Sequence, residues 1–494
     1  MTMTQTRLDV PSLHRPAVVN AAEHWLAPAR FMNRCERLGD RFTVPMPGTG
    51  AWLCLTHPDD VKRIFTADTD VMRFGAALAK LSPHILVLGP TGLTNLDGAA
   101  HARKRRMQNP PFHAGVLANY EATVQRVTEN ALTGWPYGRP AASLPLMRTI
   151  ALDVIIATVF GMTDPARAQR LRAATVALLH EGESRRFLVQ TMIASSRPGG
   201  WDRPFPRMRA AIAAVDAVVL DELAERRATG DLQRDDVLAM LMNARDDHGA
   251  PMTDAELCDD MRTLLLGAHD TSASTLSWAL ERISRHPDVL VAIQRAALDG
   301  DDDYIDAVVK ETMRLRPAFP LTVRLAAQDF ELPGLTIPAG TTVIPFITLL
   351  NRRPDLYDEP LAFRPERFLN ANPGTYSWIP FGGGRRRCLG AGFAQMEART
   401  VLRTLLRTAT VLPTTRRAER IARSTVTIVP AHGGRVTLRR RTVPTAATTT
   451  AAATTATTAG TAATAGTAAT AGTAATAGTA AGARAAAGRP RVST

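Results

Sequence analysis

A chain of 494 residues is long enough for a large hydrophobic core, and length alone allows roughly two to four domains. Lys and Arg number 59 against 46 Asp and Glu, a net charge of +13, which suits nucleic acid, an acidic protein or an anionic surface but says nothing about fold. The four cysteines (Cys35, Cys54, Cys258, Cys388) are scattered without a CxxC pair, which argues against a disulfide framework or a structural zinc site and for a reducing compartment.

The first residues, MTMTQTRLDVPSLHRP, lack the apolar core of a signal peptide. The longer apolar runs, such as TTVIPFITLL at 341–350, fall short of the roughly 20 residues a membrane span needs. A soluble cytoplasmic protein, mostly helical with a minor strand content, is expected. LDGAAHARKRRMQNPPFH, 96–113, places His101 and Arg105 one helical turn apart. Its Arg103–Arg106 cluster alone is also compatible with a solvated or nucleic-acid-binding face.

PMTDAELCDDMRTLLLGAHDTSASTLSWALERISRHP, 251–287, starts a helix at the capping box Thr253/Glu256 and stops it at Pro287. Such a helix is long for a globular protein, about 50 Å. Its middle is unusual: Gly267 and Thr271 share one face and Asp270 sits beside them. Gly and Asp both cost stability in an apolar helix unless they are used. A local irregularity with a Thr back-bond explains the composition equally well.

DDDYIDAVVKETMRLRP, 301–317, reads as a helix ended by Pro317, with Glu311 and Arg314 spaced to pair. Residues 322–346 alternate Val, Thr and Ile between PG and AG breaks, which predicts short strands and turns. FRPERF, 363–368, carries Arg367, which completes a network with Glu311 and Arg314 if the fold brings the segments together. Then comes IPFGGGRRRCLGAG, 379–392, leading into a helical pattern. Gly382, Gly383 and Gly384 permit close backbone approach. Arginines and a helix start favour a thiolate at Cys388, a soft ligand for iron. A buried structural cysteine or an anion-binding nest fits the same residues. From Thr442 onward only Thr, Ala, Gly, Val, Pro, Ser and Arg occur, with GTAATA in tandem from Gly460. Such a segment buries too little apolar surface to offset its ordering entropy, so a disordered tail is expected. Removing its three arginines leaves the body at about +10.

FGGGRRRCLG satisfies F-x-x-G-x-x-x-C-x-G through Phe381, Gly384, Cys388 and Gly390 and resembles the haem-binding signature of the cytochrome P450 family. The other motifs follow in the family's order. HARKR matches the His-x-x-x-Arg of many bacterial members, and GAHDTS is similar to A-G-x-D-T-T, with Ala268 and Ser272 as mild departures. ETMR and PERF match E-x-x-R and P-E-R-F. The resemblance covers roughly residues 20–440 and implies the following organisation. Residues 1–20 form an N-terminal extension, 21–441 one large mainly α, minor β haem domain with a long helix over the haem, and 442–494 the tail.

The resemblance also implies roles. Cys388 is the iron ligand of a haem b (iron protoporphyrin IX). Arg386, His101, Arg105 and Arg324 hold its propionates. Phe381 packs near the sulfur. Glu311, Arg314 and Arg367 form a buried ion network that supports the haem loop. Asp270 and Thr271 relay protons during oxygen activation. The implied reaction inserts one atom of O₂ into a lipophilic terpenoid, steroid, fatty acid or polyketide-like molecule. Two electrons come from NAD(P)H through a separate ferredoxin or flavodoxin with its reductase, since no flavin or iron–sulfur motif is visible. Arg385 and Arg387 are expected to steer that acidic carrier, unless they are merely solvated. By position, segments 74–96 and 187–204, the distal helix face and segment 318–323 bound the pocket and supply Leu81, Ile85, Leu86, Val87, Phe187, Met192, Phe319 and Leu321, with His84 and Arg185 as polar anchors. A monomer that binds no nucleic acid is expected. A peroxygenase or isomerase, or a haem sensor without a redox partner, is the alternative, and neither needs the Asp270–Thr271 pair.

Overall fold

The computed structural model describes residues 8–81, 84–195, 205–370 and 374–441. The expected tail from 442 lies outside them, as do residues 196–204 of the expected pocket and the side chains of His84, Ile85 and Met192. Helices dominate the described residues, with short strands near the N-terminus, in the middle and at the end.

The N-terminal part is organised around a five-stranded sheet. Strand Arg41–Met46 pairs antiparallel with Gly50–Leu55, and Gly48 and Gly50 take the positive φ of the tight connection. Gly50–Leu55 pairs parallel with Thr342–Pro345, some 290 residues later, with Trp52 opposite Thr342. Arg324–Ala326 and Met72–Arg73 complete the sheet. Side chains alternate across it. Trp52, Cys54 and Ile344 join Phe31 and Phe346 on one face, while Leu53, Leu55 and Val343 join Ile64 and Phe65 on the other. The sheet therefore carries Arg324 on one strand and fixes the Phe65 helix (Pro58–Thr66) beside it.

A helical core packs separately from these two clusters. The central helix runs Asp254–Arg285, 32 residues, as the sequence spacing predicts. The capping box closes its start: the Thr253 amide donates to Glu256 Oε2 at 2.9 Å and the Glu256 amide to Thr253 Oγ1 at 3.2 Å. Its partner Ser143–Thr158 (SLPLMRTIALDVIIAT) is apolar on nearly every side and is correspondingly buried, with Ile150, Val154 and Ile155 fully enclosed. The helix Ala391–Thr408 follows the cysteine loop and buries Phe393, Val401 and Leu405 in the same core. Helix Asp302–Leu315 ends two residues before Pro317, and residues 324–345 form four short strands. Among the described residues no helix is long and apolar enough to cross a membrane.

Candidate haem-thiolate site

The cysteine loop is seated on the Phe65 helix. Gly384 has φ +63°, and a Cβ there would lie 1.8 Å from the Phe65 carbonyl oxygen; a Cβ on Gly383 would lie 2.6 Å from the Phe65 ring. The close approach inferred from the glycines is thus an approach to the chain's own backbone. The Cys388 amide donates to the Phe381 carbonyl at 2.9 Å. The Phe381 ring packs edge-on to Trp378, with centroids 5.9 Å apart.

Cys388 has an exposed surface, yet burial is the largest influence on its thiol and pushes it upward. The Gly390 amide, Arg105 and Arg387 pull in the other direction. The arginines act in the direction the sequence suggests, favouring the thiolate, but they do not dominate. The helix begins only at Ala391, and desolvation outweighs its neighbours. Arg105 sits behind the loop, donating to Asn109 Oδ1 at 3.0 Å and to the Arg387 carbonyl at 2.8 Å.

Beside the loop lies a cluster of cations with too few anions. Arg324 is 3% exposed, and its one hydrogen bond goes to the carbonyl of its neighbour Val323. Its guanidinium lies 5.2 Å from the ring centroids of both Phe65 and Phe74. Arg386 lies 5.6 Å from the same Phe74 ring, and its buried Nε has no partner. His101 is buried next to them, and burial, Arg386 and Arg105 together lower it to about 4, so it is neutral. Burial pulls Arg324 down to about 9, with Arg386 adding to the effect. The acid within reach is Asp97. It accepts from Arg386, but also from the amides of Phe74, Gly75 and Ala76 at 2.9, 3.0 and 2.9 Å. Two guanidiniums and a neutral imidazole around one committed carboxylate call for further negative charge. A cofactor with two carboxylates and a metal centre for the nearby sulfur fits that donor set.

On the central helix, Gly267 is exposed in mid-helix, and a Cβ there would meet nothing within 4 Å. The helix is continuous at this point, so the open space is a property of the composition rather than of an irregularity. The Thr back-bond of the alternative sequence reading is present: the Thr271 hydroxyl donates to the Gly267 carbonyl at 2.6 Å and to the Ala268 carbonyl at 3.2 Å. Asp270 points elsewhere. Its carboxylate accepts from Arg148 Nε at 3.0 Å, and Arg148 also holds Glu183 and Ser424 at 2.7 Å. Burial raises the Asp270 carboxyl and Arg148 opposes it. Asp270 and Thr271 are therefore neighbours in sequence with different partners.

Glu311, Arg314 and Arg367 come together. Both Glu311 and Arg314 are fully buried; Arg314 Nε and Nη2 meet the carboxylate at 2.6 and 2.8 Å, and Arg367 Nε meets it at 3.2 Å. Arg314 also donates to the carbonyls of Asn351, Pro360 and Ala362, so one guanidinium ties the helix to the stretch before PERF.

Three contacts that shape this site escape the sequence reading. Arg148 and Asp97 are ordinary in their local context, although LDG before a helix was readable as a cap signal. Glu397 is the third. It is 1% exposed on the cysteine helix and accepts from Ser272, next to Thr271, at 2.6 Å. Burial raises its carboxyl to about 7, and the Ser272 hydroxyl offsets part of that. A raised carboxyl binds its proton more tightly when folded. Its cost is absent below about pH 4.5 and grows as pH rises to about 7, to about 3 kcal/mol. Glu397→Gln is expected to remove that slope, gaining on the wild type from pH 5 to 8 in denaturant titrations; parallel pH profiles would show that Glu397 ionises freely.

Of the expected pocket residues, Leu86, Val87 and Phe187 pack on the helical core, and Leu81 and Leu321 on the sheet's first cluster. Phe319 is 37% exposed and Arg185 is exposed.

Comparison with known proteins agrees with this geometry. The family model described as Cytochrome P450 matches residues 16–437. The putative cytochrome P450 137 of Mycobacterium tuberculosis is 37% identical over 411 residues, covering 83% of this chain and 85% of its own. The putative cytochrome P450 135B1 of Mycobacterium bovis is 38% identical over 432 residues, covering 85% and 90%. Among solved structures, a cyanobacterial CYP120A1 with retinoic acid bound superposes with a TM-score of 0.71 at 22% identity, covering 87% of this chain and 99% of its own. The chain belongs to the cytochrome P450 family of haem monooxygenases.

Proposed function

We propose that this enzyme oxidises a lipophilic small molecule of the terpenoid, steroid, fatty acid or polyketide-like kind. We assign its electrons to NAD(P)H through a separate ferredoxin or flavodoxin and its reductase. The observation that carries the site assignment is the buried Arg324, which has no acid partner among the described residues, together with Arg386, whose Nε is buried and unpartnered, near the cysteine loop. In this reading Cys388 ligates haem b, Arg386, Arg324 and His101 receive its propionates, and Arg105 steadies the cysteine loop. Bound haem supplies oxygen activation. The protein's own share is to enclose the site and to deliver protons. Thr271, beside the open face at Gly267, holds a hydroxyl where water enters the groove. Asp270 supplies the acid once Arg148 releases it.

Leu81, Leu86, Val87, Phe187 and Leu321 support an apolar ligand. Retinoic acid in the cyanobacterial neighbour is a lipophilic precedent for that fold alone. On the cysteine side, Arg385 is exposed but paired with Asp68 at 2.9 Å, whereas Arg387 is exposed and outside any ion pair among the described residues. Arg387 is the better contact for an acidic carrier. The catalytic domain spans 21–441, works as a monomer in the cytoplasm and carries 442–494 as an appended tail.

A screen of lipophilic compounds that follows the haem spin-state shift tests the substrate class, and a shift with none of them contradicts it. Turnover supported by NADH with a ferredoxin pair supports the electron route. Turnover by peroxide alone assigns the protein to the peroxygenases. Thr271→Ala is expected to keep haem and ligand binding but to divert most of the consumed electrons to peroxide. Full coupling in that variant removes Thr271 from the relay.

A further inference from the structure

The first helix, Ala17–Leu26, is turned inside out. It buries Asn20 and His24 and exposes Val18, Val19, Ala22, Trp25 and Leu26, with Leu26 83% and Val18 66% exposed. The exposed positions share one face, spaced i, i+1, i+4, i+7 and i+8. Specific contacts fix this orientation. Asn20 Nδ2 donates to the Pro45 carbonyl at 3.0 Å, and the His24 ring packs edge-on against Phe31 and Trp52, at 4.9 and 5.5 Å between centroids. Burial and Arg423 hold His24 well below its ordinary value, so the inward ring is neutral. The outward face therefore has to be the apolar one.

The surroundings of that face are basic. His14 and Arg15 are exposed just before the helix, and the Arg30 side chain is 71% exposed just after it. Arg423 lies 4.8 Å over the Trp25 ring, but its Nε is buried and burial lowers it to about 10, so it supports the Trp25 ring from behind rather than joining the exposed rim. The nearby acid, Glu23, is 9% exposed at its side chain and lies nearer to Arg34, at 3.2 Å, than to Arg30, at 3.9 Å, so it offsets only part of the rim's charge.

We propose that this face docks on an anionic lipid bilayer surface, with Val18, Val19, Trp25 and Leu26 at the acyl boundary and Arg15 and Arg30 at the headgroups. An apolar stripe inside a cationic rim fits such a surface in both respects. The other occupants fit less well. A second copy related by a two-fold axis would set one cationic rim against the other. Residues 442–494 hold three arginines, no acid and no Leu, Ile, Met, Phe, Tyr or Trp, so they offer neither negative charge nor bulk. No helix of membrane-spanning length is needed, since the contact lies in the interface plane.

The test uses the full-length haem-loaded protein, sedimented with vesicles of phosphatidylcholine alone and of phosphatidylcholine mixed with phosphatidylglycerol. Binding to the mixed vesicles, weakened by salt, is expected. Val18→Ser with Leu26→Ser should weaken it about tenfold or more. Arg15→Gln with Arg30→Gln should weaken it about fivefold per charge. An unchanged carbon-monoxide spectrum certifies both double variants as folded. Sedimentation with neither vesicle, equal sedimentation with both, or unaltered binding by both double variants overturns the proposal. So does a dimer, seen by light scattering, that the Val18/Leu26 variant abolishes, and so does lipid binding that appears only after removal of residues 442–494.

Discussion

Replacing Glu311 with alanine is expected to cost about 3–5 kcal/mol and to yield protein with little or no haem. The carboxylate is fully buried and is the sole acid that contacts both Arg314 and Arg367 among the described residues. It also accepts the Arg364 amide at 2.8 Å. Its loss strands the Arg314 guanidinium in a site from which water is excluded. The three carbonyls around Arg314 soften the effect and place it toward the lower end of that range. The stretch from Asn351 to PERF loses an anchor to helix Asp302–Leu315, and that stretch leads directly into the cysteine loop. Denaturant unfolding and the ratio of haem to protein absorbance measure the two effects. A midpoint and haem content near those of the parent would contradict the network's role.

Arg324→Met is expected to act in opposite directions on two states of the protein. Arg324 is buried against two phenylalanine rings, with one carbonyl as its hydrogen-bond acceptor and Arg386 as its nearest charge. A thioether of similar length removes that desolvated cation, so the haem-free protein should gain about 1–4 kcal/mol. Haem affinity should fall about ten- to hundredfold, because a charge-assisted contact to a carboxylate is lost. Unfolding of the haem-free protein and haem transfer to an acceptor such as apomyoglobin read the two separately. A variant whose haem-free form is destabilised would show that Arg324 is structural. Unchanged haem transfer would remove it from the cofactor site.

The division between what is legible in the sequence and what is not follows the range of each interaction. The central helix, its capping box and its stop at Pro287 are local features, and they appear where the spacing places them. Glu311 and Arg314 lie three residues apart on one helix and pair as that spacing allows. The cysteine loop is legible as a close approach because glycine alone fits there, but what it approaches, the Phe65 backbone, is more than 300 residues away in sequence. Asp270 shows the limit. Its place beside Thr271 suggests a shared task, yet its carboxylate goes to Arg148, 122 residues upstream. The Glu397–Ser272 contact spans 125 residues and leaves no periodic trace. The inverted first helix is readable only in reverse, because Val, Trp and Leu in VVNAAEHWL suggest a buried stripe and the structure buries Asn20 and His24 instead. Long-range pairing chose the inward face there, through the Pro45 carbonyl and the rings of Phe31 and Trp52.

The central claim is that the Cys388 sulfur binds the haem iron, and the carbon-monoxide difference spectrum of the reduced protein tests it most directly. The purified protein should be coloured and should show the long-wavelength band of a thiolate-ligated haem. Cys388→Ser, with unchanged far-ultraviolet circular dichroism, should lose that band. A colourless parent protein, or a serine variant with the same band, would contradict the account.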